Sequence, residues 1–182
     1  MNAIILSAGY GVRLWPLTQR IPKVMIEVGG RPVLEHQVFY LHKYGVFNIV
    51  VNLHHLPLKV MEHFGSNLLY TYEPTLFGEE MTVDYLAQQF PFIRNEYLVV
   101  LNGDTLTNLN LEKMFRLSKG KSVRYMDGDV YAGVKILAPA YHEGNRKIID
   151  YQDTEASWID IGMPVGLARA RKDYEEKFNK MS

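Results

Sequence analysis

Four charged residues stand where their spacing could do chemistry: Arg13, Lys23, Asp104 and Asp160. The two cations belong to one segment, LSAGYGVRLWPLTQRIPK, which runs from Leu6 to Lys23. Gly9 and Gly11 let a backbone approach a phosphate with no Cβ in the way. Arg13 offers a planar fork that grips two phosphate oxygens, and Lys23 returns a point charge to the same place. Pro16 and Pro22 keep the segment out of a regular helix and stiffen it. Two familiar phosphate loops do not fit. G-x-G-x-x-G needs a third glycine where Leu14 stands, and G-x-x-x-x-G-K-[ST] is absent. What remains is a rigid glycine cradle for a polyphosphate, with side chains supplying the charge.

The two carboxylates follow apolar runs. Asp104 comes after EYLVVLN and the glycine turn at Gly103, at the carboxyl edge of a sheet where open α/β folds bind ligands. Asp160 lies within Trp158-Ile159-Asp160-Ile161-Gly162. Either aspartate alone reads as a turn former. Together they suit Mg²⁺, which takes few protein ligands and fills its shell with phosphate oxygens and water.

The elements that must position these groups follow from pattern and punctuation. Ala3–Ala8, Val24–Val28, Phe47–Leu53, Leu68–Tyr72, Glu96–Asn102 and Lys147–Tyr151 read as strands. Helices are expected after Pro32 and ending before Gly45, over PLKVMEHF, over Glu79–Phe90, after an Asn110 cap, and from Pro164 to Phe178. SVRYM and DVYAGVKIL read as a hairpin turned at Asp127-Gly128. The strand–helix alternation predicts an α/β fold: a mostly parallel central sheet flanked by helices, with a small β-rich C-terminal part. No linker, repeat or low-complexity tract divides the 182 residues, so one domain is expected.

Lys+Arg and Asp+Glu are both 20, so no bulk field draws the chain to nucleic acid or an anionic membrane. The absence of cysteine excludes disulfides, thiolate catalysis and Cys-based metal centres. Residues 2–8 are too short and unflanked for a signal peptide, and no apolar run approaches the roughly 20 residues of a membrane span. A soluble, cytoplasmic protein is the expectation.

The string from Leu6 to Lys23 closely resembles the signature of the sugar-1-phosphate nucleotidylyltransferases, with Val12 where that family usually has Thr or Ser. The resemblance continues through VGGRPVLEH, NIVVNLHHLP, VVLNGDT and WIDIG. It implies a Rossmann-like nucleotidyltransferase fold of the GT-A kind, with a nucleotide half of about 1–110 and an acceptor half of about 111–182. It implies transfer of a nucleotidyl group from a nucleoside triphosphate to a sugar 1-phosphate with loss of pyrophosphate. Lys23 would meet the α-phosphate and the incoming phosphate, and Arg13 the pyrophosphate. Asp104 and Asp160 would be paired Mg²⁺ ligands, bridging α-phosphate and acceptor through the metal.

By the same resemblance the nucleotide lies along Leu6, Ala8, Gly9, Gly11 and Asn102, with the base against Glu73 and Gly78. The Glu73 carboxylate can accept from guanine N1–H and N2–H₂ together, or from cytosine N4–H₂, and finds no such donor pair on uracil, which tilts the reading slightly to GTP. Glu73 as a cap of the following turn has equal weight. The acceptor half departs from the family. The Glu-Lys-Pro motif is missing, Tyr131 stands where Asn usually precedes Ala-Gly, and Met163 replaces a Thr. Tyr131 and Gly133 are the expected acceptor contacts, and Lys135, Arg146 or Lys147 the candidates for the missing lysine. Three alternatives stay open: cytidylyl or uridylyl transfer to an acceptor such as phosphocholine, an inactive nucleotide-binding module, and a homo-oligomer whose neighbouring subunit completes the acceptor wall. The adjacent His54 and His55 are expected to point apart, in a loop at the end of a strand.

Overall fold

The computed structural model describes residues 1–178. Its strands in chain order are β1 (Asn2–Leu6), β2 (Glu27–Val28), β3 (Arg31–Pro32), β4 (Ile49–Leu53), β5 (Leu69–Tyr72), β6 (Leu98–Asn102), β7 (Thr105–Thr107), β8 (Ser122–Asp127), β9 (Val130–Leu137), β10 (Ile148–Gln152) and β11 (Trp158–Asp160). Its α-helices are α1 (Val33–Lys43), α2 (Pro57–Phe64), α3 (Glu79–Gln89), α4 (Phe92–Asn95), α5 (Leu111–Ser118) and α6 (Pro164–Lys177).

Seven strands form one sheet in the order β10-β8-β9-β6-β1-β4-β5. The β5-β4-β1-β6 half is parallel. Its central strands carry near-continuous aliphatic runs because helices cover both faces. The hairpin turns at Gly128, with φ 59°, and lays β9 antiparallel to β6. β10 then adds parallel to β8. Residues from α1, α2, α5 and α6 share the larger core on one face, and α3 and α4 share the smaller core on the other. Parallel strands end together, so the segments after β1, β4, β5 and β6 all emerge at one edge.

That edge carries a small second ribbon. β11 runs antiparallel to β7, with Asp160 opposite Thr105. This register sets Asp160 beside the Asp104 turn, and the Ile161 amide donates to the Asp104 carbonyl at 2.9 Å. α6 then turns back over β2. Its Tyr174 ring occupies the space where a Cβ on Gly29 would stand, 2.2 Å from the ring, and Gly29 itself has φ 58°. Only glycine meets both demands there.

Several local expectations are corrected. The first strand stops at Leu6, because the Ser7 amide donates to Asn52 Oδ1 at 2.6 Å instead of a neighbouring strand. Lys23–Met25 forms a 3₁₀ turn, and Glu27–Val28 pairs only with Arg31–Pro32. The first loop contains two further 3₁₀ turns, Val12–Leu14 and Leu17–Gln19, which its prolines permit where a full helix would fail. β3, β7 and β11 are too short to show a period and are legible only through their pairing. The Asn110 cap is present, its side chain accepting from the Lys113 amide at 2.9 Å. Among the described residues no helix is long and apolar enough to cross a membrane.

Candidate active site

The first loop is held from below. Gly11 takes φ 65°, and a Cβ there would lie 3.0 Å from Thr18 Cγ2 and 3.2 Å from Lys23 Cβ. Thr18 is fully buried and donates to the Gly11 carbonyl at 2.7 Å. His55 Nε2 in turn donates to the Thr18 carbonyl at 2.7 Å. Tyr10, between the two glycines, bonds through its hydroxyl to His54 Nε2 at 2.7 Å. His54 Nδ1 donates to the Glu73 carbonyl at 2.7 Å, which leaves Nε2 to accept from Tyr10. The adjacent histidines therefore do not diverge: both rings gather at Tyr10, at 5.0 and 5.5 Å between centroids. Gly9 stays exposed with nothing near its missing Cβ.

Three of the four charged residues converge on one glycine, and the fourth, Lys23, joins them through Asp104. A Cβ on Gly162 would stand 2.8 Å from Asp160 Oδ1, 2.9 Å from Asp104 Oδ2 and 3.0 Å from Arg13 Nη2. The Gly162 amide donates to Asp160 Oδ1 at 2.5 Å, and Lys23 Nζ donates to Asp104 Oδ2 at 2.5 Å. Burial pushes the Asp160 carboxyl above its ordinary range and the neighbouring Asp104 charge adds to this. The Gly162 amide, Lys23 and Arg13 oppose the rise. Two carboxylates that repel each other across a cradle of that size are what a divalent cation relieves. Among the described residues no third His, Asp or Glu joins them, which suits a hard cation that keeps water and phosphate in its shell.

Gln37, which the sequence did not single out, and Gly103, which it marked as a turn, hold this geometry. Gln37 is buried on α1, and its Nε2 donates to the carbonyls of Asn102 and Thr105 at 2.7 and 2.8 Å. It thereby pins both ends of the turn that carries Asp104. Gly103 has no room for a side chain, since a Cβ would sit 2.5 Å from the Leu6 carbonyl that its own amide meets at 2.8 Å. A buried glutamine on an otherwise apolar helix face was the available signal for Gln37.

Of the residues expected to meet a nucleotide, Leu6 and Ala8 flank the Ser7 peptide fixed by Asn52, and Asn102 lies partly exposed at the end of β6. Gly78 is exposed at the N-terminus of α3. Glu73 is placed differently from its base-reading expectation. It is 1% exposed, Oε1 accepts from Asn52 Nδ2 and Thr82 Oγ1, both at 2.7 Å, and Oε2 accepts from the Phe77 amide at 3.2 Å. Of its two readings, these contacts carry the capping one. The guanine argument built on its carboxylate lapses with them.

Of the expected acceptor contacts, Gly133, with φ 76°, packs so that a Cβ would stand 2.4 Å from Thr105 Oγ1 and 3.3 Å from Asn102 Cβ. Tyr131 is half-buried with Lys135 Nζ over its ring. Of the three cations considered for the missing lysine, Arg146 is tied to Asp84 by two bonds of 2.9 Å. Lys147 precedes β10 and so belongs to the opposite edge of the sheet. Lys135 alone lies near Gly133, and it is paired with Glu79.

The sequence pattern of the nucleotidyl transferase family matches residues 2–132 of this chain. The chain belongs to that family. The chain is 32% identical over 120 residues to the N-acetylmuramate alpha-1-phosphate uridylyltransferase of Neisseria meningitidis, covering 64% of this chain and 52% of that protein. It is 32% identical over 126 residues to the D-glycero-alpha-D-manno-heptose 1-phosphate guanylyltransferase of Campylobacter jejuni, covering 66% and 55%. The aligned stretch thus spans about half the length of these curated relatives. In fold, the chain superimposes on HddC from Yersinia pseudotuberculosis with a TM-score of 0.78 at 20% identity, over 95% of this chain and 99% of that one. The predicted α/β architecture with helices on both faces is therefore one that this solved structure shares.

Proposed function

We propose that this chain transfers a nucleotidyl group from a nucleoside triphosphate to a sugar 1-phosphate. The observation that carries the reading is the convergence of Asp104, Asp160 and Arg13 around Gly162, with Lys23 bonded to Asp104. A phosphate oxygen of the acceptor attacks the α-phosphorus in line, the bond from that phosphorus to the bridging oxygen breaks, and pyrophosphate leaves. The attacking oxygen is already anionic, so no general base is needed and positioning with charge neutralisation suffices. Lys23 neutralises the α-phosphate and the incoming phosphate, and Arg13 the departing pyrophosphate. Asp104 and Asp160 would hold Mg²⁺, whose contribution when bound is Lewis-acid neutralisation of phosphate oxygens.

The curated relatives include guanylyl- and uridylyltransferases of sugar phosphates, which supports a sugar 1-phosphate acceptor and leaves GTP and UTP as the two donors to compare. The test crosses the four common nucleoside triphosphates with a panel of sugar 1-phosphates and phosphocholine, in Mg²⁺, and reads pyrophosphate release. Release confined to sugar phosphates is expected, with a loss of more than about 100-fold in Asp104→Asn. Nucleotide binding that survives without release from any acceptor would mark a binding module instead.

A further inference from the structure

We propose that α6 is a strap that registers the Lys23 limb of the site against the Asp160 limb, and that Tyr174 is the positioning residue through which it acts. This role deepens the nucleotidyl-transfer reading above, on which it rests.

Both limbs lie outside the seven-stranded sheet. Lys23 opens the 3₁₀ turn Lys23–Met25, which leads into β2, and β2 pairs only with β3. Asp160 closes β11, which pairs only with β7. The strands of the first ribbon are 2 residues long and those of the second 3. A two-stranded ribbon by itself is marginal in water. The limbs meet at Asp104, whose carboxylate accepts from Lys23 Nζ at 2.5 Å and whose carbonyl accepts from the Ile161 amide at 2.9 Å. The like charges of Asp104 and Asp160 push the second limb away from that meeting point. Strand pairing alone is a weak hold against this.

α6 packs on both ribbons. In its first turn, Gly166 comes so close to β11 that a Cβ would stand 1.9 Å from the Asp160 carbonyl oxygen. Tyr174 lies about 12 Å further along the helix axis. Its buried ring presses on Gly29, the residue that follows β2. Its hydroxyl donates to His36 Nδ1 at 3.5 Å, and His36 Nε2 donates to the Val28 carbonyl at 2.8 Å. Arg171 Nε donates to the Glu27 carbonyl at 3.2 Å. Both residues of β2 are therefore tied to α6, one directly and one through His36. Leu167, Ala170 and Tyr174, with Phe178 just past the helix end, form a buried stripe that seats α6 in the larger core. One rigid helix thus touches the backbone of Asp160 at one end and the strand that continues from Lys23 at the other.

The test uses the full chain and three readouts: Mn²⁺ affinity by paramagnetic resonance, turnover by pyrophosphate release, and thermal melting. Tyr174→Leu keeps an apolar side chain in the core and loses the ring against Gly29. It should weaken Mn²⁺ binding by about 10-fold. Its kcat should fall by about 10-fold even at saturating metal, because Lys23 shifts too, and the KM for nucleotide should change less. Tyr174→Phe keeps the ring and should restore both values to those of the parent. Gly166→Ala displaces Asp160 from the other end of the helix. Its Mn²⁺ affinity should also fall about 10-fold, with kcat recovering as metal is raised. A folded Tyr174→Leu with a lower melting temperature but parent-like Mn²⁺ affinity and kcat would reduce α6 to packing and overturn the proposal. If Tyr174→Leu does not fold, Arg171→Ala decides, since Arg171 is exposed. Loss of its bond to Glu27 should weaken Mn²⁺ binding about 3-fold at an unchanged melting temperature, and parent-like binding would overturn the strap. Weaker Mn²⁺ binding in the strap variants, from a parent that releases no pyrophosphate, would uphold the strap and sink the transfer reaction.

Discussion

The Gly162 amide donates to Asp160 Oδ1 at 2.5 Å, and the α-carbon of the same glycine faces Asp104 Oδ2 and the Arg13 guanidinium. One residue thus orients one carboxylate and leaves open the space between the two.

Gly162→Ala should weaken divalent-cation affinity by about 10- to 100-fold, the range found when groups that orient metal ligands are changed. The new Cβ would stand within 3.0 Å of all three charged groups, so the carboxylates must part. Titration with Mn²⁺ monitored by its paramagnetic resonance reads the loss. Parent-like affinity in a folded variant would refute the cradle.

Gln37→Leu removes both donors to the Asp104 turn. Two carbonyls then lose their partner, which should cost about 1–3 kcal/mol of stability. Turnover should fall further than nucleotide affinity, because the displaced group is Asp104. A variant that loses stability with unchanged kcat would confine Gln37 to packing.

Glu73→Gln puts an amide N–H₂ where three donors converge. Destabilisation of about 1–3 kcal/mol is expected, with weaker nucleotide binding and no change in which base is preferred. Urea denaturation measures the first, and KM values for GTP and UTP the second. A switch of preference between the two bases would return Glu73 to a base-reading role.

His36 sets a pH dependence. Burial lowers its pKa from 6.5, outweighing its bond to the Val28 carbonyl. The folded chain therefore holds it neutral while the unfolded chain takes up a proton below about pH 6.5. Its neutral form is fully favourable above that pH, and stability declines as pH falls from there toward the lowered folded value. His142 is lowered by burial too and adds with the same sign. Urea midpoints at pH 7.5 and 5.5 should differ less in His36→Gln than in the parent, and equal differences would remove His36 from the account.

The amino-acid sequence by itself determined which residue types stand at the candidate site and the order of its elements. Gly9, Gly11, Arg13 and Lys23 sit close together in one segment, and Asp104 and Asp160 each follow an apolar run, so residue type and local spacing carry the signal. The aliphatic runs of β1, β4 and β6 likewise announce a parallel sheet covered on both faces. Only the tertiary structure decided which way Glu73 turns, that Gln37 holds the Asp104 turn, that Gly162 is the cradle, and that Lys135 rests on Tyr131 against Glu79. Each of these depends on a partner distant in the chain. A carboxylate reads the same in a sequence whether it faces a ligand or a buried amide, and the packing of β4, β5 and α3 settles which one is within 2.7 Å.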